Sequence, residues 1–110
     1  ANQYICRPIN VNEQENDHQD TTRIWWVQAE GLVGFYNAYQ RTGDAHFLDR
    51  VAALWSYTRS HMIDARPGSE WFWSVGDDGQ PGTREIAGMW KCPYHNSRFC
   101  IELIERMNTQ

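Results

Sequence analysis

The chain has 110 residues, with 10 Lys and Arg against 14 Asp and Glu, a formal net charge of −4, and 41% hydrophobic residues. That length makes one domain and not two, and a domain of this size buries only about two-thirds of the surface its unfolded chain exposes. The mild acidity argues against nucleic acid, whose binders carry a basic stripe, and no run of eighteen apolar residues is present to span a bilayer.

Residues 1–20 are polar, and only Tyr4, Ile5, Ile9 and Val11 suggest a short strand, so this stretch reads as an ordered connection. It starts without Met and lacks the basic-then-apolar plan of a secretory signal, which reads as an interior start within a longer parent. Next, Trp25, Ala29, Leu32, Tyr36 and Tyr39 recur at helical spacing and predict a helix over 23–42. Asp20, Thr21 or Thr22 would cap its start and Gly43 its end. A second line, Trp26, Glu30, Val33 and Asn37, makes this helix semi-apolar on more than one side, as in a helix packed on several faces.

Asp44 is a good N-cap for a second helix over 45–62, whose stripe is Phe47, Leu48, Val51, Trp55, Thr58 and Met62. Asp49, Arg50, Ser56, Arg59 and Ser60 fall mostly elsewhere, so one face is wet. With almost no linker, residues 23–62 form an antiparallel helical hairpin. Periodicity stops over 63–92, where paired aromatics precede Asp-Asp-Gly and Pro-Gly turn signals, predicting an aromatic loop with strands or a hairpin within 70–90. The last helix spans 94–107, entered from Pro93, with Phe99, Cys100, Leu103, Ile104 and Met107 on one side. Arg98, Glu102 and Arg106 are spaced on it for i,i+4 pairing.

Six Trp and five Tyr exceed what a core of this size needs, and a flat, partly apolar ligand such as a sugar ring would meet some of them. Trp90-Lys91-Cys92-Pro93-Tyr94-His95-Asn96 puts an imidazole at the first turn of a helix, whose positive end favours the proton-accepting form, so His95 is the best catalytic candidate. A capping or packing histidine is the plain alternative. Cys92 and His95 offer half a zinc site, but no second ligand pair exists, so no metal is expected. Trp25 or Trp26 would stack on a pyranose ring while Gln28 or Glu30 takes hydroxyls, unless both Trp are core. Trp71 and Trp73 read as hairpin packing. Glu70, Asp77, Asp78 and Glu85 would be a glycosidase pair in another setting, yet Asp77-Asp78-Gly79 is turn chemistry. His46 and His61 sit near the ends of the second helix, where solvation or capping is the expected role, and His18 is uninformative. Cys6, Cys92 and Cys100 form an odd set without a CxxC pair, which fits reduced thiols and a cytoplasmic protein.

Taken together, residues 25–44, the aromatic stretch 70–81 and Met89–Met107 resemble the C-terminal portion of the N-acylglucosamine 2-epimerase superfamily, nearest its cellobiose 2-epimerase branch. The Trp-Lys-Cys-Pro-Tyr-His-Asn run is the most specific piece. The resemblance implies an all-α fold, the C-terminal part of an (α/α)6 barrel, with helices 23–42 and 94–107 inner and helix 45–62 outer. It implies proton exchange at C2 of a mono- or disaccharide with a free reducing end, through an enediolate and without cofactor or metal. His95 matches one of the family's two acid/base histidines, Trp90 an aromatic that packs on the sugar, and Trp25 or Trp26 a second. The other catalytic histidine, a further active-site histidine and an arginine belong to an N-terminal half that these residues do not match. The chain therefore reads as an isomerase fragment, inactive alone, that self-associates or pairs with the missing half. The alternatives are an aldose–ketose isomerase of the same superfamily and a non-catalytic carbohydrate-binding or assembly module.

Overall fold

Gly43 and Asp44 set the geometry of the first helical pair. The computed structural model describes residues 21–109, in which a short strand β1 (Arg23–Ile24) leads into α1 (Trp25–Thr42). Gly43 adopts φ 71°, a left-handed conformation that costs glycine nothing, and its N–H donates to the Tyr39 carbonyl at 2.7 Å. One residue later the Asp44 carboxylate accepts from the His46 N–H at 2.9 Å and opens α2 (Ala45–Tyr57). The expected connection and strand within residues 1–20, with Cys6, His18 and Asp20, lie outside the described residues.

The start of α1 differs from the expectation. Ile24 is its N-cap and no side chain caps it, so neither Thr21 nor Thr22 does. The reason is long-range pairing: Arg23 and Ile24 pair antiparallel with Val75 and Ser74 of β2 (Ser74–Val75), and the Trp25 N–H donates to the Trp73 carbonyl at 3.0 Å. An orphan donor of the first turn is thus satisfied by a distant backbone carbonyl. The aromatic segment correspondingly gives its strand to the front of α1, and its own pairings are isolated bridges, Ile63 to Trp71, Val75 to Pro81 and Gly88 to Lys91.

The second helix ends in a wide π-turn (Thr58–Met62), where the Ile63 N–H reaches the Thr58 carbonyl at 3.1 Å. Thr58 is buried and donates its hydroxyl to the Leu54 carbonyl at 2.8 Å. The buried residues are Val51 and Leu54 of α2 and Thr58 and Met62 of the π-turn, with Leu48 left 38% exposed. Met62 then accepts from the Phe72 N–H at 2.7 Å, tying the aromatic segment to the helix exit. Within the segment, Asp64 accepts from the Arg66 and Ser69 side chains, and the Arg66 guanidinium holds its carboxyl well below the usual carboxylate range. Asp78 accepts from the Gln80 N–H at 3.0 Å beside Gly79 at φ 77°, a turn as its residue types require.

Helix α3 (Tyr94–Asn108) starts at Pro93. Of the five residues placed on one side of this helix, Phe99 and Leu103 are its buried apolar anchors, whereas Cys100, Ile104 and Met107 are exposed. Met107 lines an apolar groove with Leu32 of α1 and with Leu48 and Trp55 of α2. The long α1 packs on both α2 and α3. Trp25, Ala29, Leu32, Val33, Phe35 and Tyr36 supply its share of a core completed by Val51, Leu54, Met62, Trp71, Val75, Phe99 and Leu103. Among the described residues no helix is long and apolar enough to cross a membrane.

Candidate functional site

The packing of α1 against α3 joins two residues 65 positions apart. His95 Nδ1 lies 2.9 Å from Glu30 Oε2, and Arg98 donates to Glu30 Oε1 at 2.7 Å. A carboxylate only accepts, so in the neutral ring this contact places the proton on Nδ1 and the lone pair on Nε2. All three side chains are about a third exposed. They are held but open to a ligand. Lower on the same seam, Arg106 donates to Asn37, to Gln40 and to Glu102, so polar contacts join α1 and α3 near both ends of α3.

Aromatic rings surround the imidazole. Trp26 lies 5.7 Å from it between ring centroids, Tyr94 4.9 Å and Trp25 6.5 Å edge-on. These residues, with Trp90 and Cys92, line an open concavity of about 430 Å³. The two adjacent tryptophans separate: Trp25 is 5% exposed and packs 5.0 Å from Trp73, whereas Trp26 is 43% exposed. Trp90 is 78% exposed on the rim. Gln28 is buried and donates to the Ile24 carbonyl, which removes it from ligand contact. Glu30 has both oxygens engaged within the protein, so the structure places it behind the imidazole.

The remaining candidates lie elsewhere. His46 contacts Arg50, His61 stacks on Tyr57 at 4.6 Å, and neither lines the concavity. Among the described residues no three His, Cys, Asp or Glu side chains are grouped to hold a metal ion. Glu70 is ion-paired with Lys91 at 2.8 Å. Trp71 packs against Phe99, and Trp73 carries the Arg84 guanidinium on its face.

Sequence reasoning assigned Arg98 to pairing along its own helix and missed its bond to Glu30. The signal was its position three residues after His95, on the same helix face. It also missed the pairing of buried Lys91 with partly exposed Glu70, for which no local periodicity exists.

A helical hairpin followed by a third helix, with a polar seam and an aromatic hollow where the first turns converge, defines a segment of an (α/α)6 barrel, matched over its C-terminal part. The model of the N-acylglucosamine 2-epimerase (GlcNAc 2-epimerase) family matches residues 9–98, and the chain belongs to that family. It is 48% identical over 96 residues to cellobiose 2-epimerase of Ruminococcus albus, covering 86% of this chain and 25% of that protein. Among solved structures, cellobiose 2-epimerase from Bacillus thermoamylovorans B4167 superposes with a TM-score of 0.79 at 62% identity, over 83% of this chain and 24% of that one. A D-mannose isomerase superposes with a TM-score of 0.73 at 25% identity, over 79% and 22%. The chain thus spans about a quarter of the length of these relatives.

Proposed function

We propose that this chain is the C-terminal part of a sugar 2-epimerase that exchanges the C2 proton of a free reducing sugar through an enediolate. The observation that carries this reading is the Glu30–His95 contact, which engages Nδ1 of an imidazole that lines an aromatic-walled concavity. In it, His95 Nε2 removes or returns the C2 proton, Glu30 fixes the tautomer and steadies the imidazolium, and Arg98 balances the Glu30 charge. Trp26 and Trp90 stack on the sugar, while Trp25 supports the wall from the core. The residues of this site are the chain's own, and no cofactor takes part in the proposed step.

Epimerisation needs a base on each face of C2, and one imidazole covers one face. The chain alone is therefore expected to form no C2 epimer of glucose, mannose or cellobiose, as followed by proton NMR. A hybrid barrel, in which these residues replace the matching segment of the R. albus enzyme, is expected to form it. Epimerisation by the isolated chain, or none by a folded hybrid, would sink the reading. The likeness to a D-mannose isomerase favours a second reading, aldose–ketose isomerisation, which shares the enediolate and returns the proton to C1. Ketose among the hybrid's products decides between them.

Ile101, Ile104 and Met107 of α3 are each more than half exposed, and Met107 lines an apolar groove with Leu48 and Trp55. Water is a poor neighbour for such a surface. The isolated chain is expected to self-associate at tens of micromolar in sedimentation velocity, where a monodisperse monomer would count against the fragment reading. The exposed free thiols of Cys92 and Cys100 support a reducing, cytoplasmic setting.

A further inference from the structure

The Trp90–Asn96 motif contains two residues that the proposed reaction leaves without a task. Lys91 is enclosed, its side chain 0% exposed, and its ammonium donates to Glu70 Oε2 and to the Ile86 carbonyl, each at 2.8 Å. It also lies 5.1 Å from the centroid of the Trp25 ring. The second oxygen of Glu70 accepts from the Trp71 N–H at 2.6 Å and from Asn96 Nδ2 at 3.0 Å. A wholly buried ammonium is costly to maintain, and well-packed apolar residues replace buried ion pairs with neutral or favourable effect on stability. Stability alone therefore does not account for the pair. Directional bonds do what apolar contacts cannot: they join the loop carrying Trp90, the backbone at Trp71 and the first turn of α3 at fixed distances.

We propose that Glu70, bridging Lys91 and Asn96, is a positioning residue for the reaction, holding the Trp90 loop and the His95 turn in one mutual geometry over the concavity. The inference rests on the role given to His95 above. Lys91 is the link to the neighbouring Trp90, and Asn96 the link to the neighbouring His95. Glu70 joins the two links, so the aromatic that meets the sugar and the base that meets its C–H stay in register. A base displaced by about 1 Å loses on the order of a hundredfold in rate.

The test uses the hybrid enzyme. Asn96→Ala cuts only the link to α3, and is expected to lower kcat by about 10- to 100-fold with KM nearly unchanged. Glu70→Ala removes both acceptor oxygens and cuts both links, lowering kcat and raising KM. The apolar pair Glu70→Leu with Lys91→Met is expected to restore Tm and leave kcat low. Recovery of kcat together with Tm would overturn the proposal, as would Asn96→Ala turning over within about twofold of the parent. Selective ¹⁵N labelling of the His95 ring reads its orientation without turnover: its resonances are expected to move in Asn96→Ala, and unchanged resonances would also overturn it. A His95→Ala arm separates the two failures. An active His95→Ala hybrid sinks the catalytic reading, whereas an inactive one beside a fully active apolar-pair variant sinks the positioning role alone.

Discussion

Replacing His95 by Ala in the hybrid barrel is expected to lower kcat for C2 epimerisation by about two to four orders of magnitude, the span of a lost general base. Affinity for cellobiose should stay nearly constant, because the imidazole acts on a C–H proton and anchors no hydroxyl. Trp90→Ala should reverse the pattern in part. The ring is mostly exposed, so its removal leaves the core intact and weakens binding by about 1–3 kcal/mol through lost ring contact. Trp25→Ala differs again: this side chain belongs to the core, and its loss should cost about 3–5 kcal/mol of stability. Single-turnover kinetics, binding isotherms and thermal melts on the three variants separate base, platform and core. A His95→Ala hybrid that turns over normally would leave the carbohydrate-binding module as the better account.

The second large effect is expected at Glu30. Glu30→Gln keeps the length of the side chain but replaces one acceptor oxygen with an amide donor. The carboxylate now forces the His95 proton onto Nδ1 through the 2.9 Å contact. An amide can donate instead, which moves the proton to Nε2 and removes the lone pair from that nitrogen. The comparable change in a Ser-His-Asp triad costs about 10⁴ in kcat, and a loss of about 10²–10⁴ is expected here because Glu30 is partly solvated. The substitution also strands Arg98, whose bond to Glu30 Oε1 is charge-assisted. Ring ¹⁵N shifts of His95 in the two proteins report the tautomer directly. An unchanged tautomer with unchanged kcat would assign Glu30 to structure alone.

What the sequence by itself determined was local. Gly43 and Asp44 end one helix and begin the next through bonds spanning no more than four residues, so their residue types suffice to place the turn. Pro93 marks the entry to α3 for the same reason, and Asp78 with Gly79 writes its own turn. The motif from Trp90 to Asn96 placed His95 at a helix start beside aromatic residues, and the resemblance it carries reached the family before any fold was in view. Tertiary structure decided the rest. Consecutive helical residues point about 100° apart, so which of Trp25 and Trp26 is buried depends on where Trp73 and α3 lie, and no periodicity within α1 states that. The first residues of the expected helix became a strand because Ser74 and Val75 came to pair with them. Glu30 read as a hydroxyl binder until α3 brought His95 and Arg98 to its two oxygens. Lys91 stood in the motif without a partner of its own until the fold brought Glu70, 21 positions away, to its ammonium. Each of these outcomes is a contact between segments remote in sequence, and the partners of a polar group are chosen by packing, which a local pattern does not encode.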